Sequence, residues 1–147
     1  MTFTVNSISQ TTGSFDSYGL NYSIGSLKIA LASDSNAKGY DNKRFASTFS
    51  LDTLDIDVGV LYQTTKKLST GISENGHVIS VKKNVFEKGS IYYQTSSSDI
   101  KLESGEQNSL GYTHKISKVS KVFVHASNLE SDTKNVDYIS VGFEYKF

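Results

Sequence analysis

Apolar and polar residues alternate along most of this chain with a period of two. That is the period of a β-strand, whose successive side chains point to opposite faces. The alternation predicts ten strands. The first covers residues 2–8, with Phe3 and Val5 in phase, and residues 10–13 break it with turn formers. The second, 15–24, carries Tyr18, Leu20, Tyr22 and Ile24 on one face. Gly25-Ser26 predicts a tight hairpin. The third strand, 27–32, sets Leu27, Ile29 and Leu31 against Lys28 and Ala30. A polar loop is expected over 33–43, then a strand over 44–51 bearing Phe45, Phe49 and Leu51.

After a short turn at 52–53, the segment 54–63 alternates cleanly. Leu54, Ile56, Val58, Val60 and Tyr62 oppose Asp55, Asp57 and Gly59. Further strands are predicted over 77–82, 90–95, 110–116, 122–127 and 136–147. Long polar loops are expected at 64–75, 96–108 and 128–135, and short turns at 84–89 and 117–120. The last strand puts Val141, Phe143, Tyr145 and Phe147 on one face and Ser140, Gly142, Glu144 and Lys146 on the other.

Short connections thus alternate with longer ones, and the strand–loop–strand unit recurs roughly every thirty residues. Several strands are long. A membrane strand needs about nine to eleven residues, whereas soluble strands cluster near five or six. Short turns at one end and longer loops at the other are the habit of outer-membrane barrels. The pattern therefore predicts an all-β fold, an antiparallel up-and-down transmembrane β-barrel with about ten strands present. A soluble β-sandwich, with the apolar face turned into a core, is the alternative.

Composition sharpens this picture. With 147 residues the chain is one domain, 1–147. No apolar run is long enough for a membrane helix, but barrel strands keep mean hydropathy low because half their side chains are polar. Fifteen basic and fifteen acidic residues balance, so nothing points to nucleic acid. The absence of cysteine removes disulfides, thiol catalysis and thiolate metal sites. The absence of proline suits a chain that is nearly all paired strand. Nine Tyr and eight Phe could supply girdles at membrane interfaces. The first residues show no basic region, apolar core or cleavage site, so no signal peptide is expected at Met1.

Candidate chemistry is sparse. Asp34 to Gly39 resembles the start of a calcium loop, but Lys38 stands where an oxygen ligand is needed and Phe45 replaces the closing Glu. His77, His114 and His125 lack the close spacing of a zinc site. The serines lie in generic turns, so no enzyme, metal or cofactor is expected. Asp55 and Asp57, two apart on one predicted strand, would share a face about 7 Å apart. They either line a lumen or are hydrated acids at a strand end. With Lys28, Arg44, Lys82 and Glu144 they are the candidate pore-lining residues, a set mixed in sign.

The final strand resembles the C-terminal β-signal of Gram-negative outer-membrane proteins, a polar residue, glycine and two aromatics at fixed spacing: Ser140, Gly142, Tyr145 and Phe147. The run from Ile116 to Phe123 is similar to the periplasmic turn of general-diffusion porins, and Phe86 to Tyr92 is a shorter copy. The likeness is strongest over residues 75–147. The resemblance implies an outer-membrane porin passing ions and small hydrophilic solutes, surrounded by outer-membrane lipid, inserted by the barrel assembly machinery and trimeric. Porins of that family have sixteen strands and a constriction loop. No constriction-loop motif occurs here, which implies the C-terminal portion of a larger barrel. A complete eight- to ten-stranded barrel with a structural or adhesin role stays open.

Overall fold

The computed structural model describes the backbone of residues 2–10, 15–99 and 105–146, and the side chains of 16–99 and 105–146. Ten strands follow one another: β1 (Thr2–Gln10), β2 (Phe15–Ile24), β3 (Leu27–Ala37), β4 (Tyr40–Leu51), β5 (Ile56–Lys67), β6 (Ser73–Val85), β7 (Gly89–Ser98), β8 (Gly105–Lys115), β9 (Ser120–Ser131) and β10 (Lys134–Tyr145). They form one antiparallel sheet in sequence order, with β1 and β10 at its edges. Each strand pairs with its chain neighbour, so the backbone groups of the interior strands are satisfied within the sheet.

Among the described residues the sheet has no second layer. Among the described residues no apolar side chain is buried. The buried side chains are hydroxyls: Thr65 at 9% exposure, Ser109 at 3% and Ser127 at 6%. A sandwich would bury its Val, Ile and Phe between two sheets. Here none of those residues among the described ones is buried, which overturns the soluble-sandwich alternative as an architecture.

Most strands are longer than the alternation suggests, and most of the excess is at one end, although β6 also runs on to Val85 and β9 starts at Ser120. The expected loop at 33–43 is a continuation of β3 and β4, closed by Lys38 and Gly39. Both have positive φ, as a two-residue hairpin turn of the primed type requires. Register slips once, between Asp34 and Ala37. Likewise β5 and β6 run on to Lys67 and Ser73, and β9 and β10 to Ser131 and Lys134. Both faces turn polar in these extensions, so the period-two signal fades although the hydrogen-bond ladder persists. The expected loop at 96–108 is strand through Ser98 and again from Gly105; residues 100–104 lie outside the described set, as do 11–14 of the first turn.

Register assigns every side chain to a face. Hydrogen-bonded rows cross the sheet at right angles to the strands, and one such row reads Ile139, Ala126, Leu110, Tyr93, Val81, Val58, Phe49, Leu27 and Ile24. On β10, Ile139 is the uppermost apolar residue of its face, taking the polar extensions as up; below it come Val141, Phe143 and Tyr145. On β2, Ile24 is the lowest, and Leu20 and Tyr18 stand above it. The apolar band therefore slips down the strands across the sheet. Its centre lies level with Asn21 on β2, in the row that ends at Val136, and at Gly142 on β10, six residues further along that strand. With about 3.3 Å per residue and about 4.8 Å between strands, that slip equals a strand tilt of roughly 30° against the band. A flat apolar slab crossing tilted strands produces this offset, and barrels tilt theirs by about 35–45°.

Side chains at the band edges match such a slab. Tyr62 on β5 donates its hydroxyl to Asn75 Oδ1 at 3.0 Å, and Tyr93 on β7 donates to Asn108 Oδ1 at 2.9 Å. In both cases the acceptor sits one outward position higher on the next strand. Each ring keeps its body in the band and its hydroxyl in the polar margin. Lys83 lies on the apolar face near its lower edge, and its Nζ reaches the Leu54 carbonyl at 3.1 Å, so the charge leaves the band.

Candidate pore-lining face

The opposite face is polar, and the register places five of the six expected lining residues on it. Lys28 shares a row with Thr48 and Gly59; Arg44 sits higher on β4; Asp57 and Lys82 are direct partners; Glu144 lies at the lower end of β10. Asp55 is different. The expected shared strand does not form, because β5 starts at Ile56. Asp55 caps a single 3-10 turn, Asp52–Leu54, with φ of 53°. The Asp52–Asp55 connection needs a left-handed residue to reverse the chain, and Asp tolerates that conformation. It is an exposed turn acid, so the pairing of two acids on one strand is corrected to a single acid, Asp57.

Three ion pairs among the described residues lie on this face, each between adjacent strands. Lys82 Nζ is 3.2 Å from Asp57 Oδ2, Lys121 Nζ is 2.8 Å from Glu144 Oε2, and Arg44 Nη1 is 3.7 Å from Asp34 Oδ2. Asp57 also accepts from Ser50 Oγ at 2.6 Å, and Arg44 Nε donates to Gln63 Oε1 at 3.0 Å. Asp34, the first residue of the calcium-like stretch, is occupied by Ser17 and Arg44 within the sheet. Among the described residues no three His, Asp or Glu side chains gather as a metal site.

The charges are unevenly spread. The polar face of β3 to β6 carries Lys28, Arg44, Lys67 and Lys82 with Asp34, Asp57 and Glu74. On β7 to β10 the same face has no formal charge between Lys134 at the upper rim and Lys115, Lys121 and Glu144 at the lower. Aromatic rings take their place. Tyr92 lies over Gly111, its direct partner, and Phe123 lies over Gly142. A methyl group on either glycine would collide with the ring above it.

A chain of hydrogen bonds joins these rings. Tyr92 Oη and His125 Nδ1 are 2.8 Å apart, and His125 Nε2 and Ser127 Oγ 2.6 Å. Ser127 and Ser109 share a bond of 2.7 Å, and Gln107 Nε2 reaches Ser109 at 3.3 Å and the Tyr138 hydroxyl at 2.8 Å. The sequence pattern does not assign this cluster to a face. Tyr92 stands beside Tyr93, and His125 stands in a run of apolar residues, so only the register decides their side. Of the other histidines, His77 and His114 fall on the opposite face, level with Tyr62 and Val122.

In the expected assembly signal, Ser140 and Gly142 lie on the polar face and Tyr145 on the apolar one. Phe147 lies outside the described residues.

A long antiparallel meander with a slanted apolar band on one face, charges on the other and, among the described residues, no buried apolar side chain has the build of part of a β-barrel wall. Solved porins share this fold. The anion-selective porin from Comamonas acidovorans aligns with a TM-score of 0.72 and 18% identity, over 95% of this chain and 51% of that one. Two variants of the porin of Rh. blastica align with TM-scores of 0.73 and 0.72 at 13% identity, over 90% of this chain and 46% of theirs. The chain thus spans about half the length of the solved porins it matches. No protein-family model and no curated protein sequence matches it. The relationship is therefore one of fold: a porin-like sheet, not closed on itself.

Proposed function

We propose that the chain is a sector, the C-terminal portion, of an outer-membrane porin in a Gram-negative bacterium, lining a water-filled channel for passive diffusion of ions and small hydrophilic solutes. The observation that carries this reading is the slanted apolar band on one face backed by a charged, ion-paired face on the other. In lipid every backbone polar group must be paired within the protein, which a continuous strand ladder achieves. The apolar band would meet hydrocarbon, and the opposite face would keep the lumen wet. Solutes would be sorted by bore and lining charge, with no bond made or broken. About eight strands leave an interior largely filled by side chains, and sixteen leave a channel. We therefore place this sheet in a sixteen-stranded barrel, inserted by the barrel assembly machinery through its last strand and assembled as a homotrimer.

The test starts with fractionation of the natural gene product. Recovery in the outer membrane, released only by detergent, is expected; a soluble product would reject the reading. Planar bilayers containing the purified protein should then show stepwise ohmic conductance, and a silent bilayer at high protein load would reject the channel.

A further inference from the structure

We propose that the lower end of the polar face, around the turn between β8 and β9, binds a soluble oligovalent phosphate of the pyrophosphate or tripolyphosphate class. This goes beyond the channel reading and holds whether or not a pore conducts. Lys88, Lys115, Lys118, Lys121 and Lys146 line one pocket of about 610 Å³ with a single carboxylate, Glu144. Glu87, next in the chain to Lys88, does not line it. Strand pairing explains the gathering. Lys115 is the direct partner of Lys121, and Lys121 of Glu144, so the three stand abreast on one face. The Lys115 amide donates to the Lys88 carbonyl at 2.8 Å, which sets Lys88 next in line. The Lys146 amide donates to the Val119 carbonyl at 2.8 Å and brings that lysine in from below. Lys118 sits in the turn itself. There Ser117 Oγ accepts from the Val119 amide at 3.2 Å and shares a 2.7 Å bond with Ser120 Oγ, so the backbone carrying Lys118 is fixed before a ligand arrives.

The charge of this pocket is not balanced within it. Lys121 is neutralised by Glu144 at 2.8 Å, and none of the ion pairs among the described residues includes Lys88, Lys115, Lys118 or Lys146. Like charges directly opposite one another destabilise a sheet. An anion among these lysines relieves that repulsion. An ammonium group is a point charge with three donors, which phosphate oxygens can accept. A monovalent anion offsets little of the excess that five lysines hold over one glutamate. Linked phosphates carry several charges and span neighbouring ammonium groups.

Calorimetry on the natural protein folded in detergent tests this with sodium tripolyphosphate at fixed ionic strength. Saturable binding is expected, and sodium chloride should give none. Lys88→Gln combined with Lys115→Gln should raise the half-saturating concentration by about tenfold, since one exposed ion pair is worth up to about fivefold. Lys43→Gln, at the upper margin of the apolar face, should leave it unchanged. Without phosphate and in dilute salt, Lys115→Gln should resist urea at least as well as the natural protein, because it removes one of two opposed lysines. With tripolyphosphate the order should reverse, because the ligand stabilises the form that binds it better. In phosphatidylcholine nanodiscs, binding should persist when part of the lipid is replaced by phosphatidylglycerol; displacement by that lipid would assign the lysines to headgroups and overturn the proposal. Absence of saturable binding, unchanged binding by the double variant, an equal loss in Lys43→Gln, or a urea midpoint lowered by Lys115→Gln without phosphate would each overturn it as well.

Discussion

Gly142 shows how much one residue of this wall depends on its neighbour across the ladder. As sequence, it is a small polar-face position in an aromatic-ended strand. In the structure it is the floor beneath the Phe123 ring. Gly142→Ala should force that ring off the sheet and cost about 1–3 kcal/mol, the usual range for overpacking. Urea unfolding from lipid vesicles measures it. In a Phe123→Leu background, where no ring covers the glycine, the same change should cost much less. Gly111 under Tyr92 should respond alike. The pattern reveals that these positions are glycine; which ring lies above each follows from strand register alone.

At the scale of the element, the slanted band makes depth a property of row and strand together. Val141 and Ile139 are 80% and 76% exposed on an edge strand, yet they sit inside the band, while Asp137 lies above it. Val141→Lys should destabilise the protein by about 2–4 kcal/mol, and Asp137→Lys by about 0–1 kcal/mol, as lysine does at the middle and margin of a bilayer. Unfolding in vesicles of matched thickness reads both. Equal effects at the two sites would mean that no hydrocarbon slab is present. The same scale explains the misplaced loops. Residues such as Ser33, Asp34 and Asn42 are polar on both faces, so alternation cannot detect them, but backbone pairing needs no apolar side chain.

At the scale of the whole molecule, the polar face divides into a charged sector and one without formal charge, and the proposed channel reading turns that division into an expected effect on ions. Asp57→Asn removes the partner of Lys82 and leaves a free cation. The reversal potential under a salt gradient should shift toward anion preference. Asp55→Asn, altering an exposed turn, should leave it nearly unchanged. The shift should be large in dilute salt and small near 1 M, where charges are screened within about 3 Å. No shift for Asp57→Asn at low salt would remove it from the lining.

The sequence by itself determined the strand number, the two-faced character of each strand and the side taken by residues in clean alternation, such as Leu27, Lys28, Asp57 and Glu144. Side-chain direction along a strand is local, so a period of two suffices. Only the tertiary structure decided that the ten strands make one unlayered sheet, that Asp55 leaves its strand for a turn, that the apolar band slants, and that Tyr92, His125 and Tyr138 meet on the polar face. Those facts depend on register between strands, and a shift of one residue would send every one of these side chains to the other face.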